Sequence, residues 1–234
     1  MVEQPHQCQA ALQALLAQRV EALLVNVPLD DPHAEQLRAL ASPVPVLFLD
    51  VSPSAQVNSL VFNAEEGARL GVEHLLSLGH QHIALLSGPE SSVSARARLA
   101  GWQATLAQAG LDAVAVEYGD WSAASGYEKG HMLLSGTVLP EAILVANDQM
   151  ALGVMRACAE KGVAIPGQLS VVGFDDTADS AWFSPPLTTV RQAFRQAGER
   201  SVTWLLDPLQ GDACWQVQLP VTLVIRHSTA RRHP

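Results

Sequence analysis

Apolar positions along this chain follow two rhythms that take turns. Between Gln9 and Gln18, Leu12, Leu15 and Leu16 fall three to four residues apart, which predicts a helix with one buried face. The next apolar residues, Ala22-Leu23-Leu24-Val25, are continuous instead and stop at Asn26. A short unbroken run of this kind suits a strand covered on both faces. The exchange then recurs. A helix is predicted from about His33 to Leu40, followed by a strand from Val44 to Leu49 that ends at Asp50. Further strands are predicted at His82–Leu86, Ala142–Val145 and Ser170–Gly173, with helices centred near residues 70, 102, 130, 155 and 200. Parallel strands need a crossover between them and a helix supplies it, so the alternation predicts an α/β fold built on doubly wound parallel sheet. No repeat, low-complexity segment or Gly/Ser linker interrupts it, so any subdomains must be compact.

In an open α/β sheet a ligand sits beyond the carboxyl ends of the strands. The residues that follow the apolar runs are Asn26, Asp50, the loop from Ser87 to Ser94, Asp120 with Trp121, Asn147 with Asp148, and Asp175 with Asp176. Amides and carboxylates hydrogen-bond in pairs and suit adjacent hydroxyls on a polyol. A Trp face offers stacking area to the C–H side of a sugar ring. Each residue alone has a plainer use: Asn147 or Asp148 as the cap of a helix running from Gln149, Asp50 and Asp175 as turn residues. Six such positions in phase argue for a binding site. A helix starting near Val93 would also place Ser94 and Arg98 on one face, with Arg96 pointing elsewhere. Arg98 then either clamps a ligand with its fork of donors or pairs with a strand-end aspartate, and the two uses are compatible.

Charge and composition narrow the function classes. Fourteen Lys and Arg against 23 Asp and Glu leave a net charge of −9, with 48% hydrophobic and 16% charged residues. That balance excludes intrinsic disorder and a general electrostatic grip on nucleic acid. Only the end, from Arg226 to Arg231, Arg232 and His233, is locally basic, and it reads as a solvated terminus. No apolar run approaches the ~20 residues that span a bilayer, and the start lacks the pattern of a secretory signal. Cys8, Cys158 and Cys214 lie far apart, as reduced thiols of a cytoplasmic protein do. Phosphate-loop, dinucleotide, zinc-protease and nucleophile-elbow motifs are all missing. His80-Gln81-His82 has no third ligand nearby, and His74 has no nucleophile beside it. Asp175 and Asp176, as neighbours at a strand end, are expected to diverge. The expectation is a binder with no catalytic residue, no metal site and no cofactor.

Several strings carry a resemblance. Asn26-Val27-Pro28-Leu29-Asp30-Asp31, Leu47-Phe48-Leu49-Asp50-Val51-Ser52, Leu70-Gly71-Val72-Glu73-His74-Leu75 and Ser91-Ser92-Val93-Ser94-Ala95-Arg96 resemble the LacI/GalR family of bacterial transcription regulators. So do Gly119-Asp120-Trp121-Ser122-Ala123, Ala146-Asn147-Asp148-Gln149-Met150-Ala151, Ser170-Val171-Val172-Gly173-Phe174-Asp175-Asp176-Thr177 and Pro185-Pro186-Leu187-Thr188-Thr189. The likeness runs from about Cys8 to Thr229. It implies a periplasmic-binding-protein-like core of two α/β subdomains, residues 1–62 plus 192–221 and residues 63–190 plus 222–230, the first incomplete. It also implies an effector in the cleft between them, a galactoside inducer such as allolactose. The ligand-binding positions would be Asn26, Asp50, Phe62, Ser94, Arg98, Trp121, Asn147, Asp175, Gln192 and Phe194. Leu152 and Phe183 would belong to a homodimer interface.

The family begins with a helix-turn-helix domain that reads operator DNA. Here nothing of that kind precedes Gln7, and Met1-Val2-Glu3 resembles the end of a strand inside the family's core. The family's Leu-rich tetramerisation helix has no counterpart after Arg226. The expectation is an N-terminally truncated regulator whose operator contact would need the missing domain and whose open edge at Ala22–Asn26 weakens the first subdomain. A periplasmic-type sugar-binding protein for uptake is the alternative, opposed by the lack of a leader. A sugar-active enzyme on a similar sheet is a third, without residues to carry the chemistry.

Overall fold

The computed structural model describes residues 5–136, 139–206 and 214–232. Along the chain come α1 (Pro5–Ala17), β1 (Leu23–Val25), α2 (Asp31–Ala41), β2 (Val46–Phe48) and β3 (Ser59–Phe62). Next are α3 (Ala64–Ser77), β4 (Ile83–Ser87), α4 (Val93–Gln108), β5 (Ala115–Tyr118), α5 (Ala123–Leu133), β6 (Ala142–Val145) and α6 (Asp148–Glu160). Then follow β7 (Ser170–Asp175), a 3-10 turn at Ser180–Trp182, β8 (Thr188–Gln192), α7 (Phe194–Leu205), β9 (Gln216–Leu219) and β10 (Val221–Val224). The described residues fall into two units. One lies within Met1–Asn63, Ser91–Ser94 and Ala193–Pro220, the other within Ala64–Glu90, Ala95–Gln192 and Val221–Pro234.

The first unit holds a parallel sheet in the order β1-β2-β3-β9. Its apolar residues form two clusters. Leu12 of α1, Leu37 of α2, Val46, Phe48 and Val57 make one, while Leu47, Leu60, Trp204 and Leu219 make the other. Helix α2 is started by Asp30, whose carboxylate accepts from the backbone N–H of His33 at 3.0 Å.

The second unit holds a six-stranded sheet, β10-β8-β7-β6-β4-β5, parallel except for β10. Ile83 to Leu86 and Ala142 to Val145 are buried on both faces, which explains why these strands read as unbroken apolar runs. One continuous core joins them to α3, α4, α5 and α6. Gly126, Gly130 and Gly153 bring α5 and α6 almost to backbone contact. Because β4 lies between β5 and β6, the chain reverses its direction of winding there, the place beyond the strand ends where open α/β sheets take a ligand. Gln192, expected in the first subdomain, ends β8 and pairs with Val221 of β10 inside this unit.

The basic tail departs in part from the sequence reading. Arg226 is held by Leu187 O at 2.8 Å and Asp176 Oδ1 at 2.6 Å, and Arg232 reaches Glu141 Oε1 at 2.9 Å. The backbone N–H of Arg232 also donates to Leu78 O at 2.9 Å. Carboxylates and carbonyls of the second unit draw these two cations in, so the segment is anchored at Arg226 and Arg232, while Arg231 and Arg232 stay exposed as expected of a solvated terminus. His233 and Met1-Val2-Glu3 lie outside the described residues.

Candidate functional site

In the second unit the carboxyl ends of the parallel strands gather the expected residues. Asn147 follows β6 and caps α6: its side-chain oxygen accepts from Met150 N at 2.9 Å, and its amide donates to Trp121 O at 3.0 Å. The capping use is the one seen, and it does not exhaust an amide that bears two N–H groups and two lone pairs. Trp121 follows β5 in a left-handed conformation, φ +76°, and its indole lies where a Cβ on Gly88 would come within 2.5 Å. Asp120, beside it, is turned into the start of α5: the Ser122 hydroxyl and N–H bind its carboxylate and hold it down at about 2.

Arg98 lies on α4, whose start at Val93 agrees with the predicted helix phase. It is only 5% exposed. Its guanidinium donates to Ala146 O, sits 4.0 Å from the Phe174 ring centroid and 5.5 Å from that of Trp121, and approaches Asp175 Oδ1 at 3.5 Å. Gln192, with its amide turned to suit its neighbours, donates to Asp175 Oδ1 and accepts from Arg98 Nη2, both at 3.2 Å. Asp175 and Asp176 do diverge. Asp175 faces Arg98, whereas Asp176 binds Arg191 at 2.5 Å and Arg226 at 2.6 Å. Burial pushes the Asp175 carboxyl up to about 6 although Arg98 opposes it. The result is a rigid set of donors, acceptors and one indole at a single edge of the sheet.

The first unit carries the remaining candidates. Asn26 is exposed just after β1. Asp50, after β2, accepts from the backbone N–H of Ser94 at 3.2 Å. Phe62 at the end of β3 meets Phe194 at the start of α7 edge to face, with centroids 5.3 Å apart and Phe194 half exposed. Of the two expected interface residues, Leu152 is 39% exposed on α6 and Phe183 is half-buried against the core of the second unit. Among the described residues no group of three His, Cys, Asp or Glu could hold a metal ion. No described helix is long and apolar enough to cross a membrane.

Comparison with known proteins gives this geometry its setting. The periplasmic binding protein-like domain family matches residues 72–229. The lactose operon repressor of Escherichia coli (strain K12) is 53% identical over 223 residues, which are 95% of this chain and 62% of that protein. The chain belongs to the LacI/GalR regulators, with a periplasmic binding protein-like core. A solved dimeric lac repressor with an 11-residue C-terminal deletion superposes with a TM-score of 0.95 at 50% identity, over 99% of this chain and 85% of that one. The lac repressor dimer bound to operator and the anti-inducer ONPF gives 0.93 at 51%, over 97% and 80%. The chain thus spans less than two thirds of the length of the E. coli relative.

Within this LacI/GalR core, three features escaped the sequence reading. Phe174 lies under the Arg98 guanidinium, but in sequence it is one more apolar residue of β7. Gly88 clears the floor for Trp121. Trp182, next to Phe183, is 85% exposed.

Proposed function

We propose that this chain is the effector-binding part of a cytoplasmic transcription regulator whose effector is a galactoside such as allolactose. The observation that carries the reading is the constrained cluster of Arg98, Asp175 and Gln192, flanked by Asn147 and the Trp121 indole. Arg98 and Asp175 offer a donor fork and an acceptor pair at fixed spacing, suited to neighbouring hydroxyls. Trp121 offers a flat apolar face for the sugar ring. Asn26, Asp50, Phe62, Ser94 and Phe194 complete the proposed set of ligand contacts, and Leu152 with Phe183 contribute to a homodimer. The chain acts by binding and not by catalysis, and operator recognition belongs to a DNA-reading domain outside these residues.

A ligand regulates such a protein only through a difference in affinity between two conformations, so the effector must favour one arrangement of the core. Isothermal titration with allolactose tests the reading. Arg98→Ala is expected to abolish measurable binding, because it removes the donor fork and leaves Asp175 buried without its cation. Unchanged affinity in that variant would sink the assignment.

A further inference from the structure

Asp148 is buried completely, and the first turn of α6 aims its carboxylate over β7. Its Oδ1 accepts from Thr189 Oγ1 of β8 at 2.6 Å. Its Oδ2 accepts from the backbone N–H of Thr177 at 2.9 Å and from the Ser180 hydroxyl. The three donors come from separate pieces of chain: a strand, the loop after β7 and the 3-10 turn. On β7 itself Gly173 makes the room, since a Cβ there would overlap Asp148 Oδ1. The carboxylate therefore straddles the strand end, touching position 173 on one side of Asp175 and position 177 on the other. Between those two grips Asp175 and Asp176 hold φ of +117° and +58°. Residues with a Cβ keep such conformations only where their surroundings impose them.

We propose that Asp148 is a positioning residue for Asp175, clamping the strained backbone that presents this carboxylate to Arg98. The clamp is electrostatic as well as steric. Arg98 from α4, the Gln192 amide from β8 and Asp148 from α6 all act on Asp175, while Asp176 is occupied by Arg191 and Arg226. Burial raises Asp175 to about 6, Arg98 lowers it and the Asp148 charge raises it. Burial also raises Asp148 itself, against the pull of Ser180, Thr189 and Thr177. An ionised Asp175 accepts from two hydroxyls. Galactoside affinity is then about half-maximal near pH 6, approaches its full value about one unit above, and falls toward about tenfold per pH unit well below it.

This ligand consequence rests on the galactoside reading; the clamp itself does not, and the test separates them. Carboxyl 13C resonances of Asp175, assigned with Asp175→Asn, are followed against pH in the sugar-free chain. Asp148→Asn keeps the clamp, because its amide oxygen takes the Thr177 and Ser180 donors and its N–H group faces a Thr189 hydroxyl able to accept. It removes only the charge. The expected result is a midpoint that drops below 6, with allolactose affinity at pH 7.5 within about threefold of the parent. Asp148→Ala loses the clamp and is expected to bind about thirtyfold more weakly at pH 7.5. An unmoved midpoint in Asp148→Asn, or parental affinity in Asp148→Ala, overturns the inference. If Asp148→Ala does not fold, Thr189→Val takes its place, since it withdraws the Oδ1 donor and leaves the Asp148 charge: weaker binding at pH 7.5 is expected, and parental affinity overturns the inference. Absence of allolactose binding to the parent overturns the sugar reading alone, since the midpoints are read without ligand.

Discussion

The two units are written in the same alternation of strand and helix, yet they differ in how completely each buries its sheet. In the second, β8, β7, β6 and β4 each have a strand on both sides, and one continuous core joins the sheet to four helices. In the first, the strands are three or four residues long, the apolar residues divide into two clusters, and β1 ends the described sheet with Leu24 50% exposed. Identical grammar therefore yields unequal cohesion. What sets it is the share of strands that lie between two neighbours, two of four in the first described sheet against four of six in the second, since unpaired edges neither bury apolar area nor satisfy backbone groups.

The largest expected effect follows directly. The chain is expected to unfold in two steps, the first unit at the lower temperature, when followed by differential scanning calorimetry with far-UV circular dichroism. Trp204 and Trp215, stacked 5.5 Å apart in the first unit, should report the first step by fluorescence. A single symmetric transition seen by every probe would erase the contrast.

Gly153→Ala sharpens it from the other side. A Cβ at this position overlaps Ala123 O, and the obstruction is backbone, which has no rotamer to escape into. Helix propensity gains about 1 kcal/mol from the change, but forcing two packed helices apart costs about 3 kcal/mol, so overpacking wins by about 2 kcal/mol. The second transition should fall by on the order of 5 °C while the first stays put.

A smaller effect is expected at the docked tail. The Glu141 carboxylate is bound by Gln81 N–H at 2.8 Å, His82 Nδ1 at 2.7 Å and Arg232 at 2.9 Å. Although burial works against ionisation, these partners hold Glu141 below the usual carboxylate range. Its depressed value means that the stabilisation is present above the unfolded-state value of 4.5 and is lost as pH falls through the folded one. Glu141→Gln should cost about 1 kcal/mol and flatten that acid limb. It should also speed hydrogen exchange at the Arg232 amide, which now donates to Leu78 O.

These contrasts also explain what could be read in advance. Strands β4 and β6 were legible because burial on both faces makes them uniformly apolar. Strand β5, Ala115–Tyr118, lies at the sheet's edge and is only half-buried, while β8, Thr188–Gln192, mixes threonines and an arginine into a buried register, so neither shows a run. Arg98, Asn147 and Asp175 could be found because strand ends and helix phase give polar residues an address. Asp148 was visible only as a neighbour of Asn147. Its role depends on Thr177, Ser180, Thr189 and Gly173 meeting in space, and no local spacing encodes that meeting. Docking of the tail was missed for the same reason, because Glu141 and Asp176 are remote in sequence from the arginines they hold.

The smallest expected effect tests whether the open edge at β1 governs behaviour or only appearance. Leu24 lies at the middle of a three-residue strand paired, among the described residues, to β2 alone. Half of its surface already meets water, so Leu24→Lys gives up little burial and should change the first unfolding step by no more than about 0.5 kcal/mol. A charge in the middle of an exposed edge, however, strongly disfavours pairing with another strand. The variant should therefore scatter less light than the parent during mild heating through the first transition, at nearly unchanged calorimetric midpoint. Equal scattering would mean that association starts elsewhere, with exposed Trp182 on the second unit as the next surface to change. A large loss of stability would mean that Leu24 supports the first unit more than its exposure indicates, and the two units would then be less unequal than their sheets suggest.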